Sequence, residues 1–356
     1  MRKLCSLRLW GCTPAPPTAI GLASYGHMAS SSRPSGELYV LKSDSQSAIL
    51  VYAPTSLAPV RQITSGISGP ASLAFDPSGK LYVANASAGS VTVYNPGAAK
   101  PSYAITSGAS SAGELRIAAG DLFLLNCSGG CPSTAAGSVS IYALGRASPK
   151  YVITNGVSAP SAIAVDPSGL VYVANCPTKN CADGNGVFGG NVTVYSPGHT
   201  SPTYTITNGI DGPVALAIDR LQNLYVANLG SNAIEVYPRR ATTPAFAFTL
   251  DHLSSECVTS AMIFAPSGDL YVANKSCPVA VFRPSLSSPI ATVNTQSSSL
   301  AFDSSGTLYT FGLAALNNGR GSIVHSFLPE YSTPSHSTKP FPNQQYDSAS
   351  AIAISP

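Results

Sequence analysis

Charge is scarce in this chain. Charged residues make up 10% of its 356 positions, well under the usual quarter. Hydrophobic residues make up 44%, so the chain is not one kept disordered by its charge. The excess of positive charge is also thin. The formal net charge is +3, but Arg2, Lys3, Arg8 and Arg33 all precede residue 35. From residue 35 onward 15 basic residues face 16 acidic ones. The electrostatic footprint of a nucleic-acid binder is therefore missing, and the Arg239-Arg240 pair reads as a solvated loop. No apolar run approaches the length of a membrane-spanning helix. There is no nucleophile elbow, no phosphate-binding glycine loop and no EF-hand pattern.

What the chain has is a repeated phrase. Gly36-Glu37-Leu38-Tyr39-Val40 returns as Gly79-Lys80-Leu81-Tyr82-Val83. It returns again around Phe123, Tyr172, Tyr225, Tyr271 and Tyr309, at steps of 38 to 53 residues. A period of this size, filled with short strand-like runs, points to a propeller or a β-solenoid. The fourth copy shows the unit. Ser161–Val165 is an apolar, β-prone run (strand A), and Asp166-Pro167-Ser168-Gly169 is a turn. Leu170–Ala174 (strand B), Asn191–Tyr195 (strand C) and Thr203–Thr207 (strand D) follow. Four antiparallel strands make one propeller blade, and neighbouring blades bury each other's faces.

The two ends of the chain complete each other. Ser350–Pro356 matches Ser161–Pro167, and the missing continuation is Ser35–Val40. The carboxyl end is expected to donate strand A to the blade whose other strands come from the amino end. This predicts an all-β, seven-bladed propeller of four-stranded antiparallel blades over residues 35–356, closed into a ring with no open edge. A solenoid has no reason to split a repeat between its termini.

The pattern Pro-x-x-Leu-Ala-x-Asp-x-x-Gly-x-Leu-Tyr-Val-Ala-Asn, followed by Val-x-Val-Tyr, resembles the NHL-type and YVTN-type propeller repeats of bacteria. The resemblance covers residues 35–356 and implies the fold. For function it implies little, because such propellers include lactonases, lyases and plain binding scaffolds.

Residues 1–34 form a leader and linker. Met1-Arg2-Lys3 is a basic start, and Leu4–Trp10 is a short apolar run interrupted by Arg8. Leu9-Trp10-Gly11-Cys12 resembles a lipoprotein cleavage box, with Cys12 as the lipidated residue. Cleavage near Ala23 or Ala29 is a second reading, and a segment without a signal is a third. An extracytoplasmic location is expected: secreted, periplasmic or lipid-anchored.

Cysteine placement supports an oxidising compartment. Cys127 and Cys176 directly follow the Asn that ends strand B, and Cys131 and Cys181 lie in the same B–C loops. Cys277 lies in a B–C loop, and Cys257 falls in a D–A connection. In a closed propeller these loops share one face. Local proximity predicts disulfides Cys127–Cys131, Cys176–Cys181 and Cys257–Cys277 out of 15 pairings. Zinc held by the two paired-cysteine loops is the competing reading, and it leaves the third pair unexplained.

The same face carries the longest loops, 126–137 and 175–190, with Gly312–Gly321 as a third extended stretch. Lys179, Asn180, Asp183, Asn185 and Phe188 offer polar groups and one aromatic ring there, and make this rim and the channel mouth the candidate binding site. The plainer alternative is that the loops merely vary in length. The recurring Asn85, Asn126, Asn175, Asn228 and Asn274 read as loop-bonding residues rather than a functional ring of amides. Tyr82, Tyr94, Tyr172, Tyr195, Tyr225 and Tyr237 read as packing between blades. Asp76, Asp166, Asp219 and Asp303 read as turn residues.

Catalysis has little support. His199, His252, His325 and His336 are the only histidines after the leader, and Asp251-His252-x-x-x-Glu256 is the only acid/base cluster. His252 and Glu256 lack a second convergent His. The expectation is a non-catalytic binding or interaction propeller without cofactor, monomeric, with a protein, glycan or small molecule as partner. The alternative is a metal-dependent lyase or lactonase of the propeller type.

Overall fold

The computed structural model describes residues 36–42, 46–53, 56, 58–127, 135–176, 189–249, 258–274, 277–284, 286–304, 306–316, 319–327 and 349–355. These form 27 β-strands in seven antiparallel sheets. Blade I joins the two ends of the chain: β27 (Ala349–Ile354) pairs with β1 (Leu38–Lys42), followed by β2 (Ala48–Tyr52) and β3 (Arg61–Ile63). In that pairing Val40 lies opposite Ile352 and Tyr39 opposite Ala353.

Blade II is β4 (Pro70–Phe75), β5 (Leu81–Asn85), β6 (Ser90–Tyr94) and β7 (Tyr103–Ile105). Blade III is β8 (Ala112–Ala118), β9 (Asp121–Asn126), β10 (Ser138–Ala143) and β11 (Tyr151–Ile153). Blade IV is β12 (Pro160–Val165), β13 (Val171–Asn175), β14 (Asn191–Tyr195) and β15 (Tyr204–Ile206). Blade V is β16 (Pro213–Ile218), β17 (Leu224–Asn228), β18 (Ala233–Tyr237) and β19 (Phe246–Thr249). Blade VI is β20 (Thr259–Phe264), β21 (Leu270–Asn274), β22 (Pro278–Phe282) and β23 (Ala291–Gln296). The remaining sheet has three strands, β24 (Ser299–Phe302), β25 (Leu308–Leu316) and β26 (Gly319–Phe327).

The seven-bladed closed ring is therefore corrected. Six sheets are four-stranded propeller blades, and they do not close a ring of complete blades. Among the described residues β26 has no fourth strand beside it, so the circle of blades is interrupted between blades VI and I. The physical reason lies in the hairpin. A second strand of five residues is the norm here, but β25 and β26 run nine residues each and pair from Leu308↔Phe327 to Leu316↔Gly319. Gly312–Gly321, expected as a long loop, is mostly strand.

The repeat unit folds as its turn residues dictate. In blade IV Asp166 Oδ1 accepts hydrogen bonds from Ser168 N (2.8 Å), Ser168 Oγ (2.7 Å) and Leu170 N (2.9 Å). Asp76 does the same in blade II, and Asp219 and Asp303 each bind the N–H four residues on. Blade III lacks this sequence. It turns instead through Ala119 and Gly120, both at positive φ (50° and 80°), the geometry of a tight hairpin.

The core sits between sheets rather than within them. Ala162, Ala164, Tyr172 and Val192 of blade IV pack with Leu216, Leu224, Val226 and Tyr237 of blade V. The facing side of blade IV, with Ile163, Val171 and Val173, packs on Phe123, Leu125 and Ile141 of blade III. Both faces of the second strands are thus buried, and strict alternation is lost there. Each fully buried aliphatic or aromatic side chain contributes about 1.5–3 kcal/mol, spread over these seams. Among the described residues no helix is long and apolar enough to cross a membrane.

Candidate functional site

Each blade runs antiparallel from its first strand to its fourth. The B–C loops and the D–A connections therefore emerge at one end, and the A–B and C–D turns at the other. This follows from strand order inside each blade, so it holds without a closed ring of seven. Cys127, Cys176 and Cys277 stand at the B–C end of blades III, IV and VI and are all buried. Cys127 N–H donates to Ser111 O at 3.0 Å, and Cys176 N–H donates to Ala159 O at 2.9 Å. Each binds its loop base to the preceding D–A connection.

The Asn that ends strand B is the hub of this end. Asn175 is 2% exposed. Its Oδ1 accepts from Ser158 N (3.0 Å), and its Nδ2 donates to Gly156 O (3.1 Å), Asn191 Oδ1 (2.9 Å) and Thr193 Oγ1 (3.1 Å). Asn85 accepts from Ser68 N, and Asn228 accepts from Asp211 N and donates to Gly209 O. The plain reading holds in extended form: these amides tie strand B to the neighbouring D–A connection as well as to strand C. Each of the five makes hydrogen bonds within the blades, while Asn126 Oδ1 is buried without a partner among the described residues.

The tyrosines divide by strand. On strand C, Tyr94, Tyr142, Tyr195 and Tyr237 donate to Ser65 O, Ser107 O, Asn155 O and Asn208 O at 2.7–2.8 Å, all in the D–A connection of the preceding blade. On strand B, Tyr225 and Tyr309 donate to Asp219 and Asp303 Oδ2, both at 3.3 Å. Burial, and then the nearby Asp303 carboxylate, push the Tyr309 hydroxyl up to about 12. Burial holds Tyr82, Tyr172, Tyr225 and Tyr237 well above the ordinary phenol range too.

The two extended loops return to the blades in similar ways. Ala136 bridges Ser158, Ala159 N–H donates to Ala135 O (2.8 Å), and Gly137 N–H donates to Val157 O (3.3 Å). One blade on, Gly212 N–H donates to Gly189 O (2.8 Å), and Gly189 N–H donates to Asp211 Oδ1 (3.2 Å). Glycine is required at both exits. A Cβ on Gly137 would stand 2.5 Å from Pro160 Cγ, and one on Gly190 would stand 2.3 Å from Asn175 O.

The expected binding residues Lys179, Asn180, Asp183, Asn185 and Phe188 lie outside the described residues. So do Cys12, Cys131, Cys181 and Cys257, and the acid/base candidates His252 and Glu256. His199 is exposed, with Nδ1 3.1 Å from Pro197 O. Among the described residues no group of three His, Cys, Asp or Glu side chains is placed to hold a metal ion.

Sequence reading passed over Glu114 and Arg116. The strands β4, β8, β12, β16, β20, β24 and β27 are end strands of their sheets. Glu114 and Arg116 are the only charged residues in all seven. Glu114 replaces a small residue of the repeat, since Leu115 pairs Leu124 as Leu73 pairs Val83. Its Oε2 accepts the free-edge N–H of Ile163 in the next blade at 3.0 Å, as Ser72 Oγ accepts Leu115 N–H and Ser299 Oγ accepts Ile352 N–H at 3.2 Å. Its Oε1 pairs with Arg116 Nη2, while Arg116 Nη1 donates to Leu115 O at 3.0 Å. The carboxylate thus closes the seam between blades III and IV, and the guanidinium folds back over its own strand. An alignment of strand A by register would have exposed the anomaly. The β-bulge between Ala112 and Leu115 hides it from the eye.

No family model and no curated protein matches the chain. Among solved structures it is similar to a functionally unknown protein from Desulfotomaculum acetoxidans DSM 771. The identity is 14% and the TM-score 0.64, over 90% of this chain and 99% of that one. It is also similar to the WD40 β-propeller domain of Doa1, at 10% identity and a TM-score of 0.58, over 77% of this chain and 86% of that one. At these identities the likeness shows the propeller fold alone.

Proposed function

We propose that this chain is an extracytoplasmic binding propeller of the NHL/YVTN repeat type. It captures its partner, whether protein, glycan or small molecule, on the end that bears the B–C loops. The observation that carries this reading is the anchoring of two long loops, on adjacent blades, to a scaffold of buried amide and backbone hydrogen bonds. A rigid frame with variable loops over it is the common arrangement of a binding surface.

Disulfides Cys127–Cys131, Cys176–Cys181 and Cys257–Cys277 shape those loops in this proposal, and they place the working protein in an oxidising compartment. The placement of Cys127, Cys176 and Cys277, each buried at the base of a B–C loop, supports it. Loops this short gain little chain entropy from a crosslink, so the bridges act on loop shape more than on global stability.

Two experiments test the reading. Mass spectrometry of the unreduced protein should give three crosslinked peptides in those pairs, and six free thiols would overturn the pairing. A panel of glycans, lactones and small acids should yield a ligand whose binding falls on substitution of Lys179, Asp183 and Phe188 by Ala. Unchanged binding in all three variants would refute the loop-face site.

A further inference from the structure

We infer that the end of the blades formed by the A–B and C–D turns docks on an anionic lipid bilayer, with the two turns of blade V at the contact. This end lies opposite the B–C loops, and the inference does not depend on the loop-face reading.

Charge is sorted between the two ends. Apart from Lys42, Arg116 and Arg320, every Lys and Arg among the described residues stands in an A–B or C–D turn or on the first residue after one. The acids at this end are withdrawn. Asp76, Asp166, Asp219 and Asp269 are buried, and Glu37, Asp121 and Asp303 are half-buried, so among the described residues no carboxylate is exposed there. Arg61 pairs with Glu37, Lys150 with Asp121 and Arg283 with Asp269. Lys80, Lys100, Arg146, Arg220, Arg239 and Arg240 have no carboxylate partner among the described residues.

The exposed apolar side chains gather at the same end. Val60 precedes Arg61, Leu221 follows Arg220, and Leu286 closes the turn that Arg283 opens. Phe246, the other large apolar residue exposed among the described residues, opens β19 directly after a C–D turn. A soluble polyanion makes no use of such side chains. A bilayer takes cations at its headgroups and apolar tips beneath them.

Blade V gives up the turn residues of the repeat to present these groups. Arg220, Leu221 and Gln222 stand where blade IV has Pro167, Ser168 and Gly169, in turns closed by the same N–H to Asp O hydrogen bond. Leu221 forfeits the bond that Ser168 Oγ gives Asp166 (2.7 Å), yet is itself 79% exposed, and Gln222 takes a φ of 66°. In the C–D turn Arg239 and Arg240 stand where blade IV has Pro197 and Gly198, with Arg240 at φ 63°. Left-handed backbone is costly for any residue but glycine, so the needs of the fold do not select these side chains. The patch is continuous with its neighbours. Arg220 Nη2 donates to Pro266 O of blade VI, and Arg239 Nη2 lies 3.5 Å from Ser168 Oγ of blade IV.

The test is co-sedimentation of the whole chain with vesicles of phosphatidylcholine, alone or mixed with phosphatidylglycerol, with heparin as the soluble polyanion. Binding is expected to the phosphatidylglycerol vesicles only, and it should weaken as salt is raised. Arg240→Gly restores the residue suited to its backbone, and Leu221→Ser restores the turn hydroxyl. Both variants should therefore melt no lower than the parent, which removes misfolding as the cause of a loss. Each should bind the anionic vesicles about three- to tenfold more weakly, and Arg239→Gln combined with Arg240→Gly about ten- to fiftyfold. Ala substitution of Lys179, Asp183 and Phe188 should leave vesicle binding unchanged, which separates this end from the loop face. Absence of binding, equal binding to phosphatidylcholine alone, or folded variants that bind as the parent does would each overturn the inference. Heparin binding without vesicle binding would assign this end to a soluble polyanion and overturn the lipid assignment.

Discussion

Asn175→Ala tests the frame that carries the loop-bearing end of the blades. The substitution deletes the acceptor of Ser158 N–H and the donors to Gly156 O, Asn191 Oδ1 and Thr193 Oγ1. Gly156 O keeps a partner in Thr193 Oγ1 at 3.1 Å, whereas Ser158 N–H is left without its acceptor. Each net hydrogen bond is worth about 0.5–1.5 kcal/mol, and an orphaned buried N–H costs about 1–3 kcal/mol. The expected loss is about 2–4 kcal/mol. Unfolding entropy of roughly 2 cal/mol/K per residue, over a propeller of about 320 residues, converts this to a melting temperature lower by about 3–6 °C. Differential scanning calorimetry reads the shift directly. Asn175→Asp should not rescue it, because the carboxylate still accepts from Ser158 but opposes the oxygens of Gly156 and Asn191. Thr200→Ala, at an exposed turn, is the control and should fall within about 0.5 kcal/mol of the parent. An Asn175→Ala protein that melts with the control would refute the hub role of this amide.

Three further outcomes follow from the same geometry. Burial raises the carboxyl of Glu235 above the usual range, so its contribution to stability is full below the ordinary carboxylate value and is lost as pH rises through the raised one. Glu235→Gln should therefore flatten the fall in melting temperature as pH rises from the ordinary carboxylate value through the raised one, and an unchanged slope would contradict it. Gly190→Ala should destabilise by about 2–4 kcal/mol because its Cβ meets Asn175 O. Gly198→Ala, at φ 78° with nothing within 4 Å, should cost about 1–2 kcal/mol by backbone strain alone. Equal losses in urea titrations would show that the close approach at Gly190 is unimportant. Ultraviolet titration should find the strand tyrosines still protonated above the normal phenol range until the protein unfolds, since burial opposes the phenolate. Ordinary titration of all 17 tyrosines in the folded state would contradict their burial.

The repeat was legible because most blades spend the same residues on the same tasks. Asp166 caps a turn, Asn175 ties a loop and Tyr195 reaches a carbonyl, and each leaves a recurring letter in the repeat. The blade count was not legible. The Leu308-Tyr309-Thr310 phrase marks a second strand, but nothing in it shows that β25 and β26 extend to nine residues or that their sheet has three strands. Blade III was read with the least precision, because Ala119-Gly120 replaces the Asp-Pro-Ser-Gly turn and a bulge displaces its first strand. That displacement is also why Glu114 and Arg116 went unread. Their meaning depends on Ile163 of another blade, 49 positions away, and a repeat comparison within one unit does not contain that contact.

Hydrogen exchange of the whole protein, with and without a bound compound from the panel of glycans, small acids and lactones, tests the central claim most directly. The account predicts slowed exchange at residues 111–118, 158–164 and 189–191, with the compound recovered unaltered. Slowed exchange confined to the A–B turns at Asp76–Lys80 and Asp166–Leu170, or conversion of a lactone to its acid, would contradict it.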